Sequence, residues 1–219
     1  KHVLDFGQNI AGFISFKVNG KKGQKVKLLM GEILDKNGEF TQDNFQIVIP
    51  KGDISSMQEI LLISGKPMEP SEKTKLTPMQ QVEFTCSGKE DEYCNTFAVF
   101  GFRYALIETD ISYKPEDFCS IAVYSAMEAT GNFSCSNGKV NQFYKNTLWS
   151  MKGNYLDVPT DCPTRERLGW TGDAQVFFNT GAYMMNTASF FQKWMKDVLD
   201  AQDNKGKIPA IMPFSRGNA

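Results

Sequence analysis

The hydrophobic pattern of this chain changes its period once, between residues 127 and 131, and that change limits what the chain can fold into. Before it, apolar residues come in short runs that alternate with polar ones, as in KVKLLM at 25–30, and Gly, Pro, Asp and Lys separate the runs. After it, apolar residues recur every three or four positions. Alternation is typical of a half-buried strand, and the longer step is typical of an amphipathic helix. The sequence therefore predicts a β-domain over 1–127 and a helical domain over 128–219.

Five strands are predicted in the first domain. They are GFISFKV at 12–18, KVKLLM at 25–30, QVEFTC at 81–86, AVFGFRYALIE at 98–108 and SIAVYSAM at 120–127. The turn signal NGKKGQ at 19–24 separates the first two strands, so we expect these two strands to pair. SGKPMEPSEKTKLTP at 64–78 is expected to be a connection between strands. Short strands separated by turn signals are typical of a β-sandwich.

Three helices are predicted in the second domain. Ser136 or Asn137 can cap the first helix, the second begins at Gly172, and the third is capped by Thr187 and ended by NKG at 204–206. The predicted apolar face of the first helix comprises Val140, Phe143, Tyr144, Thr147, Leu148 and Met151. That of the third comprises Phe190, Phe191, Trp194, Met195, Val198 and Leu199. Met and aromatic residues at helical spacing are most often core, so we assign these faces no ligand role.

The composition argues against several classes of partner. The 219 residues include 24 Lys plus Arg and 25 Asp plus Glu, which gives a formal net charge of -1. Strong attraction to nucleic acid or to an acidic membrane surface is therefore not expected. The longest apolar runs, such as ILLI at 60–63, are far shorter than the ~20 residues that span a bilayer. We expect a soluble protein with a neutral partner, without nucleic acid and without a membrane.

Cysteine and histidine usage argues against a disulfide framework and against a metal site. The five cysteines are odd in number and irregularly spaced, which favours free thiols and a cytoplasmic location. His2 is the only histidine and no C-x-x-C is present, so we expect no zinc site, and no cofactor is implied. The chain starts at Lys1 without a Met, and we expect that both of its ends are cut from a longer protein.

One segment of the helical domain follows neither period. DVPTDCPTRERLGWTGDAQ at 157–175 is predicted to be a long loop between two helices, and loops held by rigid elements often carry catalytic groups. The side chains in it that could act on a sugar are Asp161, Glu166, Asp173, Arg165, Arg167 and Trp170. Carboxylates beside an aromatic face suit sugar chemistry, because they can bind neighbouring hydroxyls and protonate a glycosidic oxygen while the ring stacks on the sugar.

The carboxylates of this segment can be divided by role. A general acid must be protonated when it acts, so burial or like charge must raise its pKa, and we expect Asp161 and Asp173 to do so for Glu166. A cation in contact with Glu166 would instead lower that pKa. We therefore expect an extended chain in which Arg165 and Arg167 point away from Glu166 and pair with other groups. In the alternative without function, Asp173 only occupies the first turn of the next helix, Asp161 forms a turn with the proline that follows, and the arginines tie the loop to a helix.

The same segment resembles a known family. DCPTRERLGWTGDAQ at 161–175, with KGNYLDVPT before it and TGAYMMNT and FFQKWMKDVLDAQ after it, strongly resembles the bacterial α-L-rhamnosidases of glycoside hydrolase family 78. DFGQNIAGF at 5–13, FGFRYALIE at 100–108 and VYSAMEATGNFSCSN at 123–137 are similar to the β-sandwich domain and the linker that precede the catalytic barrel of that family. The resemblance runs in consistent order from one end of the chain to the other.

The resemblance implies a β-sandwich followed by the first helices of an (α/α)6-barrel, incomplete in this chain. It also implies hydrolysis of terminal α-L-rhamnosyl groups from a glycoside or polysaccharide, with inversion. By motif position, Glu166 would be the general acid, Asp161 and Asp173 would bind rhamnose hydroxyls, and Trp170 would line the pocket. Arg165 also lies at a sugar-contacting position, although some members of the family carry an extra residue in this stretch.

The resemblance also has implications for what this chain lacks. In the family the general base is a glutamate from a later loop of the barrel, so we expect the 219-residue chain by itself to be inactive. We further expect Phe190, Phe191, Trp194 and Met195 to be exposed in a truncated domain and to drive self-association. Two alternatives stay open. One is another (α/α)6-barrel glycosidase, such as an unsaturated glucuronyl hydrolase or a glucosidase, and the other is a non-catalytic carbohydrate-binding protein whose β-sandwich holds the sugar.

Overall fold

The computed structural model describes residues 1–50, 73–76 and 80–213, and of 47–50 and 73–76 it describes the strands alone. The apolar run ILLI and most of the predicted connection at 64–78 lie outside the described residues. The described part of that connection, Lys73–Leu76, is a strand.

Eight strands are present in the described part of the first domain. They are β1 (His2–Asn19), β2 (Lys25–Gly31), β3 (Ile47–Pro50), β4 (Lys73–Leu76), β5 (Gln81–Thr85), β6 (Glu90–Tyr93), β7 (Phe100–Thr109) and β8 (Phe118–Ala122). Five of them are hydrogen-bonded in the order β5-β2-β7-β1-β6, and β8 joins the same sheet by pairing with β1. Strands β3 and β4 form a separate two-stranded sheet, and all these pairings are antiparallel.

Strand β1 is the longest strand and joins the two halves of the six-stranded sheet. From His2 to Gly12 it pairs with β7, from Gly12 to Phe16 it pairs with β8, and from Phe16 to Asn19 it pairs with β6. The register with β7 shifts once along the way. A long strand whose partners change along its length bends the sheet, and a register shift adds to its twist. The sheet therefore curls around a core.

The core of the curled sheet consists of apolar side chains on one face of β1, β2 and β7. Its most deeply buried members are Ile14, Phe16, Val26, Leu28, Met30, Phe102, Ala105 and Ile107. The ring of Phe16 stacks on Tyr93, with 5.1 Å between ring centroids, and on Phe118, at 5.4 Å. Burial of a side chain of this size contributes about 1.5–3 kcal/mol. The alternation seen in KVKLLM is thus the pattern of a strand with one face on this core.

Part of the strand prediction is wrong. Strands β1 and β2 follow each other in sequence but do not pair, because β7 lies between them and pairs with both. Strand β8 ends at Ala122, so SIAVYSAM is not a strand to its end. The prediction also missed the beginning of β1 and the whole of β6, whose sequence EDEY has no apolar alternation to detect.

Three α-helices are present in the described part of the second domain: α1 (Gly138–Asn154), α2 (Thr171–Met184) and α3 (Ala188–Ala201). Asn137 is the N-cap of α1, and its Oδ1 accepts hydrogen bonds from the N–H groups of Lys139 at 3.0 Å and Val140 at 3.4 Å. Thr187 occupies the N-cap position of α3, but its side chain makes no capping hydrogen bond. None of these described helices has the length and apolar character needed to cross a bilayer.

The helical domain has its own core, centred on Tyr155. The ring of Tyr155 stacks on Phe190 with 4.7 Å between centroids. The other buried members of this core are Met151, Ala174, Met184, Met185, Phe191, Trp194, Val198 and Met212. Since this core and that of the sheet are separate clusters, the chain forms a curled antiparallel sheet followed by a helical part with a core of its own.

The predicted apolar faces of the helices are wider than the faces that the structure buries. Phe143 is 71% exposed and Leu199 is 63% exposed, although both belong to the predicted faces. The expected exposure is right for Met195, which is 43% exposed, and wrong for Phe190, Phe191 and Trp194, which are buried. Phe190 and Phe191 pack on Tyr155, and Trp194 packs on Phe191. Each helix packs along one narrow line of contact, and its flanking apolar residues stay at the surface.

Candidate active site

Residues 155–170 lie between α1 and α2, so the loop predicted at 157–175 ends earlier than expected, where α2 begins at Thr171. Asp161 closes the second half of this loop. The N–H of Asp161 donates to the carbonyl oxygen of Leu168 at 3.1 Å, and the N–H of Leu168 donates to Oδ1 of Asp161 at 3.0 Å. We refer to residues 161–168 as the hairpin loop. The turn between Asp161 and the following proline, considered from the sequence, is replaced by this longer closure.

Cys162 and Arg167 shape the inside of the hairpin loop. The Sγ atom of Cys162 accepts a hydrogen bond from the N–H of Glu166 at 3.2 Å, and burial raises the pKa of this thiol. Arg167 has a φ of 53°, in the left-handed region that non-glycine residues seldom adopt. The chain therefore reverses at Arg167, and the expectation of an extended chain around Glu166 is wrong.

The carboxylate of Glu166 has two hydrogen-bonded neighbours, and both come from the same segment. Nε1 of Trp170 donates to Oε2 of Glu166 at 3.0 Å. A guanidinium nitrogen of Arg165 donates to Oε1 at 2.9 Å, and the side chains of Arg165 and Glu166 are 45% and 18% exposed in this ion pair. The indole N–H and the guanidinium thus hold one carboxylate oxygen each.

The expectation that both arginines avoid Glu166 is wrong for Arg165 and right for Arg167. Arg165 contacts Glu166 directly, because the bent chain brings neighbouring side chains to the same side. Arg167 instead donates to the carbonyl oxygen of Val99, in the β-domain, at 2.7 Å. Arg167 therefore contacts the residue that precedes β7 and not a helix.

Asp161 and Asp173 line one cavity of about 400 Å³. Asp173 lies in the first turn of α2, as the alternative without function also expected. The other polar members of the lining are Ser150, Asn154 and Thr160, and the apolar or aromatic members include Met151, Tyr155, Val176 and Phe177. The structure thus brings the two aspartates together, whereas Arg165, Glu166 and Trp170 form a group of their own on the adjoining hairpin loop.

Tyr155 and Phe177 are cavity residues that sequence reasoning missed. Their rings meet edge to face with 6.0 Å between centroids. Tyr155 directly follows α1, and Phe177 lies one turn beyond Asp173 on α2. The available signal was this position, since residues one turn from a predicted ligand share its helix face.

No group of three or more His, Cys, Asp or Glu side chains within the described residues is arranged to hold a metal ion. A cavity lined by paired carboxylates, amides and aromatic rings instead has the chemistry of a carbohydrate site. A curled β-domain followed by helices that line such a cavity is the arrangement that we expect of the glycoside hydrolases built on helical hairpins.

Comparison with known families agrees with that class. Residues 1–124 match the bacterial α-L-rhamnosidase concanavalin-like domain, and residues 128–219 match the bacterial α-L-rhamnosidase six-hairpin glycosidase domain. The chain belongs to the bacterial α-L-rhamnosidase family.

Individual relatives show the same similarity along almost the whole chain. An α-L-rhamnosidase of Formosa agariphila is 31% identical over 217 residues, which covers 96% of this chain and 20% of that protein. The structure of Streptomyces avermitilis α-L-rhamnosidase complexed with L-rhamnose has a TM-score of 0.79 at 30% identity, and the match covers 97% of this chain and 18% of that one. The structure of the Aspergillus terreus enzyme has a TM-score of 0.78 at 33% identity, over 99% of this chain and 22% of that one. This chain therefore spans about a fifth of the length of these relatives.

Proposed function

We propose that the protein containing this chain hydrolyses terminal α-L-rhamnosyl groups of glycosides or polysaccharides, with inversion at the anomeric carbon. The observation that carries this proposal is the presence of Asp161 and Asp173 in one cavity, beside the hairpin loop that holds Glu166. A related rhamnosidase from Streptomyces avermitilis is complexed with L-rhamnose, which supports the choice of sugar.

The cavity has polar groups that suit the hydroxyls of rhamnose and apolar groups that suit its methyl group. Carboxylates accept hydrogen bonds from vicinal hydroxyls, which is the role that we propose for Asp161 and Asp173. Rhamnose is a 6-deoxy sugar, and its methyl group needs an apolar surface. Met151, Val176 and Phe177 line the same cavity and supply one. We propose that Trp170 adds an apolar wall next to Glu166.

In the proposed reaction Glu166 is the proton donor. Its carboxylic acid form gives a proton to the glycosidic oxygen as the bond from the anomeric carbon to that oxygen breaks, so the aglycone leaves as a neutral alcohol and Glu166 becomes a carboxylate. A water molecule attacks the anomeric carbon from the opposite face and gives its proton to a second carboxylate. The products are rhamnose of inverted anomeric configuration and the alcohol.

Arg165 must move away from Glu166 before that step. Its guanidinium donates to Oε1 of Glu166 while the indole N–H of Trp170 donates to Oε2, and the glycosidic oxygen must approach one of these two oxygens. The side chain of Arg165 is 45% exposed, so it can exchange its partner without unpacking a core. We propose that a sugar hydroxyl replaces Glu166 as the acceptor for Arg165, while the N–H of Trp170 keeps the carboxyl group oriented. Substrate binding then removes the cation from the acid.

The second carboxylate is not supplied by the described residues of the cavity. Inverting enzymes place it roughly 6.5 to 9.5 Å from the acid, with a water between them. The described carboxylates that line the cavity are Asp161 and Asp173, and both have the proposed role of holding hydroxyls. We therefore propose that the 219-residue chain by itself is inactive. Release of rhamnose from an aryl rhamnoside by the purified chain would contradict this.

Replacement of Glu166 tests the proposed function. In the full-length protein, we expect Glu166→Gln to lower kcat for 4-methoxyphenyl α-L-rhamnoside by about 10²–10⁴-fold, because general acid catalysis contributes about that much when the leaving group is poor. The affinity for rhamnose, measured by calorimetry, is expected to stay within a few-fold, since glutamine keeps the size of the side chain and leaves Asp161 and Asp173 in the cavity unchanged.

The matched control is Glu90→Gln, the same change at an exposed position of β6. It is expected to leave both kcat and affinity unchanged. Unchanged hydrolysis in Glu166→Gln would favour the carbohydrate-binding alternative. A panel of 4-nitrophenyl glycosides addresses the other glycosidases, because faster cleavage of a glucoside or glucuronide than of the α-L-rhamnoside would overturn the proposed substrate.

A further inference from the structure

The hairpin loop is attached to the β-domain on both sides of Glu166. Two residues before Glu166, Thr164 is only 3% exposed, and its Oγ1 donates to Oε2 of Glu32 at 3.2 Å. One residue after Glu166, Arg167 donates to the carbonyl oxygen of Val99 at 2.7 Å. These contacts join residues 132 and 68 positions apart, so the segment that carries Glu166 is held at two points by a different domain.

Glu32 is itself fixed within the β-domain. It directly follows β2, its Oε1 accepts from Nδ2 of Asn9 at 3.0 Å, and its Oε2 accepts from Nδ2 of Asn44 at 3.1 Å. Both partners belong to the β-domain. The carboxylate that receives the Thr164 hydroxyl is therefore oriented before the loop contacts it, and orientation of this kind lowers the entropy cost of holding a loop.

Gly101 of β7 brings the strand backbone into direct contact with the hairpin loop. A Cβ atom at this position would lie 2.5 Å from Cγ2 of Thr164 and 2.8 Å from the carbonyl oxygen of Pro163. The strand cannot move back, because the buried side chain of Gln80 donates to the Gly101 carbonyl at 3.2 Å and accepts from the Gly101 N–H at 3.0 Å. The loop thus rests on a rigid surface that only glycine provides.

We propose that Glu32 is a positioning residue that sets the place of Glu166 through Thr164, which also packs on Gly101. This inference rests on the proposed function, in which Glu166 is the proton donor. A general acid is effective only within a few tenths of an ångström of its place, and a displacement of about 1 Å can cost about 100-fold in rate. The β-domain therefore contributes to the acid step although none of its residues lines the cavity that holds Asp161 and Asp173.

The dependence on the leaving group separates positioning of the acid from general damage. Expulsion of 4-methoxyphenol needs a proton from the acid, whereas 2,4-dinitrophenol leaves readily without one. In the full-length protein we expect Thr164→Val and Glu32→Ala each to lower kcat for the 4-methoxyphenyl rhamnoside by about 10- to 100-fold. For the dinitrophenyl rhamnoside we expect kcat within about threefold of that of the unaltered protein, because protonation of this leaving group adds little to the rate. We expect KM to stay within about threefold for both substrates.

Conservative variants test the contact itself. Thr164→Ser keeps the hydroxyl and is expected to retain most of the activity, whereas Thr164→Val keeps the volume and loses the donor. The double variant Glu32→Ala with Thr164→Val is expected to be no slower than either single variant, because both remove the same bond. Glu92→Gln, on the exposed surface of β6, is the matched control and is expected to behave as the unaltered protein on both substrates.

The outcomes also separate this inference from the proposed function. In one outcome Glu166→Gln shows the strong dependence on the leaving group, whereas Thr164→Val and Glu32→Ala lower kcat equally for both rhamnosides. The β-domain then only stabilises the fold, and the positioning role is overturned. Additive losses in the double variant would overturn it as well. If Glu166→Gln itself shows no dependence on the leaving group, the assignment of the acid fails, and the positioning role fails with it.

Discussion

Tyr155 combines a buried ring with a hydroxyl that has no hydrogen-bond partner among the described residues. A Cβ atom at Gly181 would lie 3.2 Å from this hydroxyl, so the phenol faces the backbone of α2. Burial raises the pKa of Tyr155 to about 12. A buried polar group that lacks a partner costs about 1–3 kcal/mol. The ring stabilises the helical core, while its hydroxyl opposes that stabilisation.

We expect Tyr155→Phe to raise the free energy of unfolding by about 1 kcal/mol at pH 7, because it removes the hydroxyl and keeps the stacked ring. The pKa of an unfolded tyrosine is about 10. Because the pKa of Tyr155 in the folded chain is higher, the contribution of its ionisation equilibrium to stability is complete below pH 10 and is lost as the pH rises toward 12. The variant should therefore lose less stability than the unaltered protein across that window. Urea unfolding at several pH values measures both effects.

Tyr183→Phe is the control for this prediction, because Tyr183 is 83% exposed and its replacement should leave stability unchanged. A loss of stability at pH 7 in Tyr155→Phe would contradict the prediction, because it would show that the hydroxyl makes a stabilising contact.

At the scale of elements, the helices were predictable and the strand pairing was not. The N-cap of α1 at Asn137 and the period of α3 are local signals, and the structure has both helices where the sequence indicated them. The pairing of β7 with both β1 and β2 is a non-local event, and nothing in the turn at 19–24 indicates that a third strand enters between its neighbours. The same limit applies within the hairpin loop. Residue types predicted a carbohydrate site there, but the left-handed turn at Arg167 placed Arg165 on Glu166.

At the scale of the whole molecule, the helical part keeps apolar side chains at its surface. Phe143, Val176, Tyr183 and Leu199 are 71%, 85%, 83% and 63% exposed. They come from α1, α2 and α3, so each helix has an apolar side that its described neighbours leave uncovered. Exposed apolar residues in such number favour association.

We expect the 219-residue chain, prepared by itself, to self-associate through these exposed side chains. Phe190, Phe191 and Trp194 are buried, so we no longer expect them to drive the association. Light scattering across a range of concentrations should give a mass that rises above that of the monomer. Val176→Lys with Leu199→Lys should shift the mass toward the monomer, because both changes put charge on the exposed helix surface. The control is Phe97→Lys, at a β-domain position that is 95% exposed. A constant monomer mass for the unaltered chain would contradict the prediction.

Local sequence patterns are enough to predict the order of a β-domain and a helical domain, most helix positions and the family, because periodicity, capping residues and a dense local motif are properties of neighbouring residues. Only the tertiary structure decided which strands pair, which apolar residues are buried and what touches Glu166. It also decided that Asp161 shares a cavity with Asp173 and that Glu32 receives the hydroxyl of Thr164, 132 positions away. Contacts between distant residues depend on how all the elements pack at once, and packing of this kind leaves no periodic trace in the chain.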